Sequence, residues 1–135
     1  MSVSVLHHTG RVPPDQTTSN RRHIASAAHT RRPPECVVIR VDGEVDATAC
    51  PELQQALAHA VQNNPRSAVV VDFSAVSFLS IRAATMLRLV ARQAGPSGIT
   101  IRLVADTPEV ERALELTGVR SVFDCYTSLR SALAS

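Results

Sequence analysis

The side chains able to do chemistry in this 135-residue chain are few and scattered. Cys36, Cys50 and Cys125 stand at no metal-binding spacing, and their odd number argues against a closed disulfide framework. They fit a reduced, cytoplasmic protein. Cys50 stands near an expected helix start, where a thiolate would be stabilised and redox chemistry favoured. Against that, a free cysteine more often packs as a small apolar side chain. His7, His8, His23 and His29 share no fixed spacing and no acidic or thiol company, so no metal site is expected. His59 falls within an expected helix and reads as a surface histidine. The chain contains no G-x-S-x-G, P-loop or H-E-x-x-H motif. With no nucleophile set beside a base, the expectation is binding, not catalysis, and no cofactor is called for. The hydroxyls that do gather are Ser74, Ser77 and Ser80, followed by Arg82 and Thr85.

These residues lie along one organising stretch, Ser67 to Gln93. The apolar, β-branched run Ala68–Val71, closed by Asp72, reads as a strand buried on both faces. Phe73–Ser80 reads as a loop. Ile81–Val90 reads as a helix with Thr85, Arg88 and Arg92 on one side. Such a junction brings a helix N-terminus to a sheet edge, where partners bind in open α/β folds. Upstream, Cys36–Val41 reads as a strand, Asp42-Gly43 as a hairpin turn, and Glu44–Asp46 as the returning strand. A helix follows from Pro51, with Leu53, Leu57 and Val61 as its buried stripe and residues 62–65 as its stop. Downstream come a turn at residues 95–98 and a strand at Ile99–Val104. Thr107 caps the next helix, Pro108 opens it, and Gly118 stops it. A short strand is expected at Ser121–Phe123, and a last helix from near Ser128. The alternation implies α/β.

Composition bounds what surrounds this core. Hydrophobic residues make up 44% but aromatics only 3%, so the core must be built from Val, Leu, Ile and Ala. Every basic side chain is arginine. The first 34 residues carry a net charge of +4 out of a total of +2, so the remainder is net acidic. With Pro13-Pro14 and Pro33-Pro34 and no periodicity, residues 1–34 are expected to be a disordered basic arm ahead of one domain at 35–135. The folded part shows no nucleic-acid footprint. No apolar run reaches the length of a transmembrane helix, and Met1–Leu6 is too short for a signal-peptide core.

Asp72-Phe73-Ser74-Ala75-Val76-Ser77-Phe78-Leu79 resembles, position by position, the first part of the STAS-domain signature of anti-sigma factor antagonists, D-[LF]-S-x-[VI]-x-[FY]-[LMI]-D-S-[ST]-G. Gly43-Glu44-Val45-Asp46 resembles that family's G-E-[LIV]-D, one helix and one strand upstream. The resemblance covers Cys36 to Leu133. It implies the STAS fold, a mixed central β-sheet of four to five strands with about four α-helices. It also implies capture of an anti-sigma factor, typically a kinase-like ATPase, which frees a sigma factor for transcription.

The resemblance breaks at Ser80-Ile81-Arg82-Ala83, where the family has D-S-[ST]-G. The family's phosphorylated hydroxyl falls on Arg82. A guanidinium cannot take a phosphoryl group, so the usual addition of about −1.5 to −2 charges is not expected there. Ser80 is left either to cap the helix or to serve as a substitute phosphorylation site. By resemblance, the partner-facing surface comprises Asp46, Thr48, Ser77, Leu79, Ser80, Ile81, Arg82 and Thr85. Asp46 is placed to pair with Arg82. Two other classes stay open: an adaptor subunit of a membrane lipid-transport or sensory complex, and a small redox enzyme built on Cys50 or Cys125. The reading is also compatible with a homodimer.

Overall fold

The computed structural model describes residues 1–8, 36–63, 68–94 and 99–134. Its centre is β3 (Ala68–Leu79), the strand opened by the Ala68–Val71 run. Val69, Val70 and Val71 are fully enclosed, as a run apolar on both faces requires. β3 is flanked by β2 (Cys36–Val45) and β4 (Thr100–Val104), both parallel to it. β5 (Asp124–Tyr126) lies parallel outside β4, and β1 (Ser2–His8) lies antiparallel outside β2. The sheet is therefore mixed, with five strands in chain order. Four α-helices connect and cover it: α1 (Cys50–Asn63), α2 (Ile81–Ala94), α3 (Pro108–Leu116) and α4 (Leu129–Ala134).

The two faces of the sheet are covered unequally. Val37, Ile39, Val69, Val71, Phe73 and Leu103 pack against Leu53 and Leu57 of α1, Leu87 of α2 and Leu114 of α3, forming the main core. On the other face, among the described residues, Val38, Val70 and Val104 form a smaller cluster with Ala132 of α4, with Tyr126, Leu129 and Leu133 packed around them. Parallel strands need this double cover.

Several sequence expectations are corrected. Ser2–His8 is not part of an arm but pairs residue for residue with β2, from Ser2 opposite Asp42 to His8 opposite Cys36. Its Ser-Val alternation explains why: Val3 turns toward the main core while Ser2 and Ser4 stay exposed. The rest of the expected arm, with His23, His29 and the arginine pairs, lies outside the described residues, as do Asn64 and Pro65 of the expected helix stop and residues 95–98, where a turn is expected. Asp42-Gly43 does not make a hairpin, because β2 continues straight to Val45. Gly43 instead has φ +90°, a backbone state open to glycine, where β2 and β3 lose register. The strand expected at Ser121–Phe123 is a 3-10 turn, Val119–Ser121, and pairing begins at Asp124. Thr107 holds the N-cap position of α3, but its side chain caps nothing.

The largest correction concerns Phe73–Ser80. It is not a loop, since β3 runs through it to Leu79. Between the pairs Arg40–Asp72 and Val45–Leu79, β2 advances five residues and β3 seven. Two residues of β3 are therefore bulged out. Burial there recurs every third residue instead of every second: Phe73, Val76 and Leu79 point inward, while Ser74, Ala75, Ser77 and Phe78 are exposed. Phe73 is wholly buried at the first bulge. Phe73→Ala should lower stability by about 3–5 kcal/mol, read as a shift of the urea unfolding midpoint at unchanged slope.

Candidate partner-docking site

The site is built where β2 and β3 end side by side, with Val45 opposite Leu79. The Ser80 amide donates to the Val45 carbonyl (2.9 Å), so the first residue after β3 is tied to the last residue of β2. Ser80 Oγ then accepts from the Ala83 amide (3.0 Å), which caps α2. Next to it Asp46 performs the same task for the Ala47–Ala49 turn that leads into α1. Its Oδ1 accepts from Thr48 N (3.1 Å), Thr48 Oγ1 (2.7 Å) and Ala49 N (3.1 Å). The Thr48 hydroxyl is the main reason the Asp46 carboxyl is held below the usual carboxylate range. Desolvation opposes it, and backbone amides assist.

Of the residues expected on this surface, Asp46, Thr48, Ser77, Ile81, Arg82 and Thr85 are exposed and Ser80 is half-buried. Ser77 Oγ donates to the Gly43 carbonyl at 3.5 Å, and Thr85 Oγ1 donates to the Ile81 carbonyl at 2.8 Å. Leu79 is a correction: it is 3% exposed and belongs to the main core, because the second bulge turns it inward. The same bulge turns Phe78 outward, 46% exposed and opposite Glu44. Phe78 is thus the large apolar side chain that β3 leaves exposed beside the site. Ile81, half exposed, stands just beyond it at the start of α2.

Asp46 and Arg82 both act electrostatically on Cys50, yet among the described residues they form no ion pair. Three donors converge on Asp46 Oδ1, which turns the carboxylate toward the Ala47–Ala49 turn. Arg82 thus stands at a helix N-terminus, where the dipole costs a cation about 0.3–1 kcal/mol. Cys50 lies beneath both. Burial pushes its thiol up, Arg82 offsets part of that, and Asp46 adds to it. Its sulfur sits 3.7 Å from the Asp46 carbonyl. Burial also raises the Cys125 thiol. Neither cysteine has the stabilised thiolate that the redox reading needs. Among the described residues no three His, Cys, Asp or Glu side chains gather to hold a metal, and no helix is long and apolar enough to cross a membrane.

Residues 27–132 match the STAS domain, and the chain belongs to that family. It is 30% identical over 96 residues to the anti-sigma-F factor antagonist RsfB of Mycobacterium tuberculosis, covering 71% of this chain and 77% of that protein. It resembles the crystal structure of an anti-sigma factor antagonist from Mycobacterium paratuberculosis, with a TM-score of 0.65 and 25% identity, over 98% of this chain and 92% of the other. The anti-sigma factor antagonist SpoIIAA in its unphosphorylated form shares the fold, with a TM-score of 0.56 and 15% identity over 73% of this chain and 86% of that one.

Two predictions test the capped junction. Ser80→Ala leaves the Ala83 amide without its partner and should cost about 1 kcal/mol in urea unfolding. Asp46→Asn tests the second cap through pH. Because folding depresses the Asp46 pKa, its contribution is present above the unfolded value of 3.8 and lost as pH falls through the lower folded value. The stability gap between wild type and Asp46→Asn should therefore be full at neutral pH and close in that acid window. A gap independent of pH would show that the carboxylate charge contributes nothing.

Proposed function

We propose that this chain is a cytoplasmic anti-sigma factor antagonist. It binds an anti-sigma factor by protein–protein contact, and so releases a sigma factor, without catalysing a reaction. The observation that carries this reading is the likeness to RsfB across most of both chains. The site's geometry supports it: two capped helix starts hold Asp46, Thr48, Ser77, Phe78, Ser80, Ile81, Arg82 and Thr85 around one rigid sheet end. Rigid elements present a binding surface at low entropic cost. The anti-sigma factor of this reading is a kinase-like ATPase, the usual partner of the family.

Docking is independent of phosphorylation at position 82, since arginine has no hydroxyl to modify. Ser80 is a poor substitute, because its oxygen is half-buried and already accepts the Ala83 amide. Control then falls to abundance or to competing partners.

Affinity capture from the source cell's lysate, read by mass spectrometry, tests both parts. Wild type should recover an anti-sigma factor, and Arg82→Glu should lose roughly tenfold or more of it. Recovery of transporter or sensory-complex subunits instead would move the chain to an adaptor role. A phosphate mapped to Ser80, accompanied by loss of binding, would overturn the phosphorylation-independent reading.

A further inference from the structure

Beyond the junction itself, α2 presents an outer face that no element of the described fold covers. Ile81, Arg82, Thr85, Arg88, Leu89 and Arg92 are all exposed. At 100° per residue they fall within an arc of about 120°, and along the helix they span about 17 Å. Ile81, Thr85 and Leu89 repeat every four residues, and the two apolar members are each 51% exposed. The helix has no acidic residue. Its three guanidiniums make no ion pair among the described residues.

This arrangement runs against the helix's own stability. Arg82 sits at the end where the dipole repels a cation. Arg88 and Arg92 repel each other at i, i+4 with no Glu or Asp to relieve them. Only Arg92, in the last turn, is well placed for the dipole. Arg88 reaches toward Gly118 at the end of α3; a Cβ added there would meet its Nη1 at 3.8 Å. The Arg88 guanidinium thus lies beside the end of α3 with no ion pair among the described residues. Of the exposed acids, Asp42, Glu44, Asp46 and Glu52 lie on β2 and around the start of α1, while Asp106, Glu109, Glu115 and Asp124 lie before and along α3 and on β5, and none forms an ion pair with α2 among the described residues.

We propose that this face of α2 is a docking stripe for an acidic amphipathic helix of the protein partner. Leu and Ile side chains of that helix would meet Ile81 and Leu89, and its carboxylates would meet Arg82, Arg88 and Arg92. The proposal rests on the reading that the chain docks a protein, and names the chemistry of what it docks. Arg82 joins the stripe to the junction, so one partner segment running down α2 engages both. Guanidiniums favour such a partner, because each can grip a carboxylate through two parallel hydrogen bonds.

The test titrates the isotope-labelled full chain with three probes: a synthetic helix of Glu and Leu at four-residue spacing, its Lys-for-Glu counterpart, and phosphatidylglycerol vesicles. The Glu helix should shift backbone amides of the exposed α2 face. Its binding should weaken roughly tenfold in Arg88→Gln/Arg92→Gln and fall between about 50 and about 300 mM salt. Circular dichroism of the double variant should match wild type. Equal binding of the Lys helix, or shifts centred elsewhere, would overturn the stripe. Vesicle binding that depends on Arg88 and Arg92, without Glu-helix binding, would reassign the face to a membrane and overturn it as well. In the lysate capture, undiminished recovery of an anti-sigma factor by the double variant would remove the stripe and leave the antagonist function standing. Failure of wild type to capture one would remove that function, and the peptide titration would then judge the stripe alone.

Discussion

The buried carboxylate of Asp72 is the constraint on which the rest of the structure depends. Asp72 is 3% exposed and faces the α4 side of the sheet. An unpartnered carboxylate there would cost several kcal/mol. Its Oδ1 accepts from the Ser74 amide at 2.9 Å and the Ser74 hydroxyl at 2.6 Å, and its Oδ2 lies 3.7 Å from Arg40 Nε. Satisfying it thus requires the backbone two residues on to turn back toward it. That turn is the first bulge in β3. Asp72 and Ser74, which carry part of the family resemblance, act as the clamp that shapes the strand rather than as partner contacts.

From that bulge the site follows mechanically. One bulge would invert the inward face of the strand; the second restores it three residues later, so Leu79 closes the core as Val76 and Phe73 do. The surplus residues are pushed outward, which places Ser77 and Phe78 on the surface. The strand then ends level with β2, and Ser80 binds the Val45 carbonyl. A site assembled from two strand ends and two caps has little freedom to rearrange. Its specificity must lie in side-chain identity more than in movement.

The fold's centre was legible because burial on both faces writes a continuous apolar run, and no other local explanation fits Ala68–Val71. The helices were legible from their starts: Pro51, Pro108, and the hydroxyl at Ser80. What failed were positions where one local signal has two tertiary meanings. Asp-Gly favours a hairpin because glycine tolerates positive φ, yet a bulge uses the same tolerance, and only the neighbouring strand decides between them. Ser2–Leu6 does alternate, but an edge strand gains its stability from β2, thirty residues away, and resembles a polar tail until that partner is in place. Phe78 and Leu79 are adjacent apolar residues. Which one faces outward depends on counting bulges, of which the Asp72–Ser74 contact shapes only the first.

Arg82 is best understood through what surrounds it. In a phosphorylated relative, charge at this helix N-terminus would change from neutral to strongly negative, a sign the dipole welcomes. Here the charge is fixed and positive, a sign the dipole resists. Asp46 turns its Oδ1 to capping the Ala47–Ala49 turn and makes no ion pair with Arg82 among the described residues. Cys50 could respond to it as a thiolate, but burial pushes the thiol up by more than Arg82 brings it down. Among the described residues Arg82 has no ion-pair partner. On the proposed function, relief must come from outside the chain, as a partner carboxylate. An interface that depends on such a charge tightens or loosens with the supply of partners and with ionic strength, not with a covalent mark at that position.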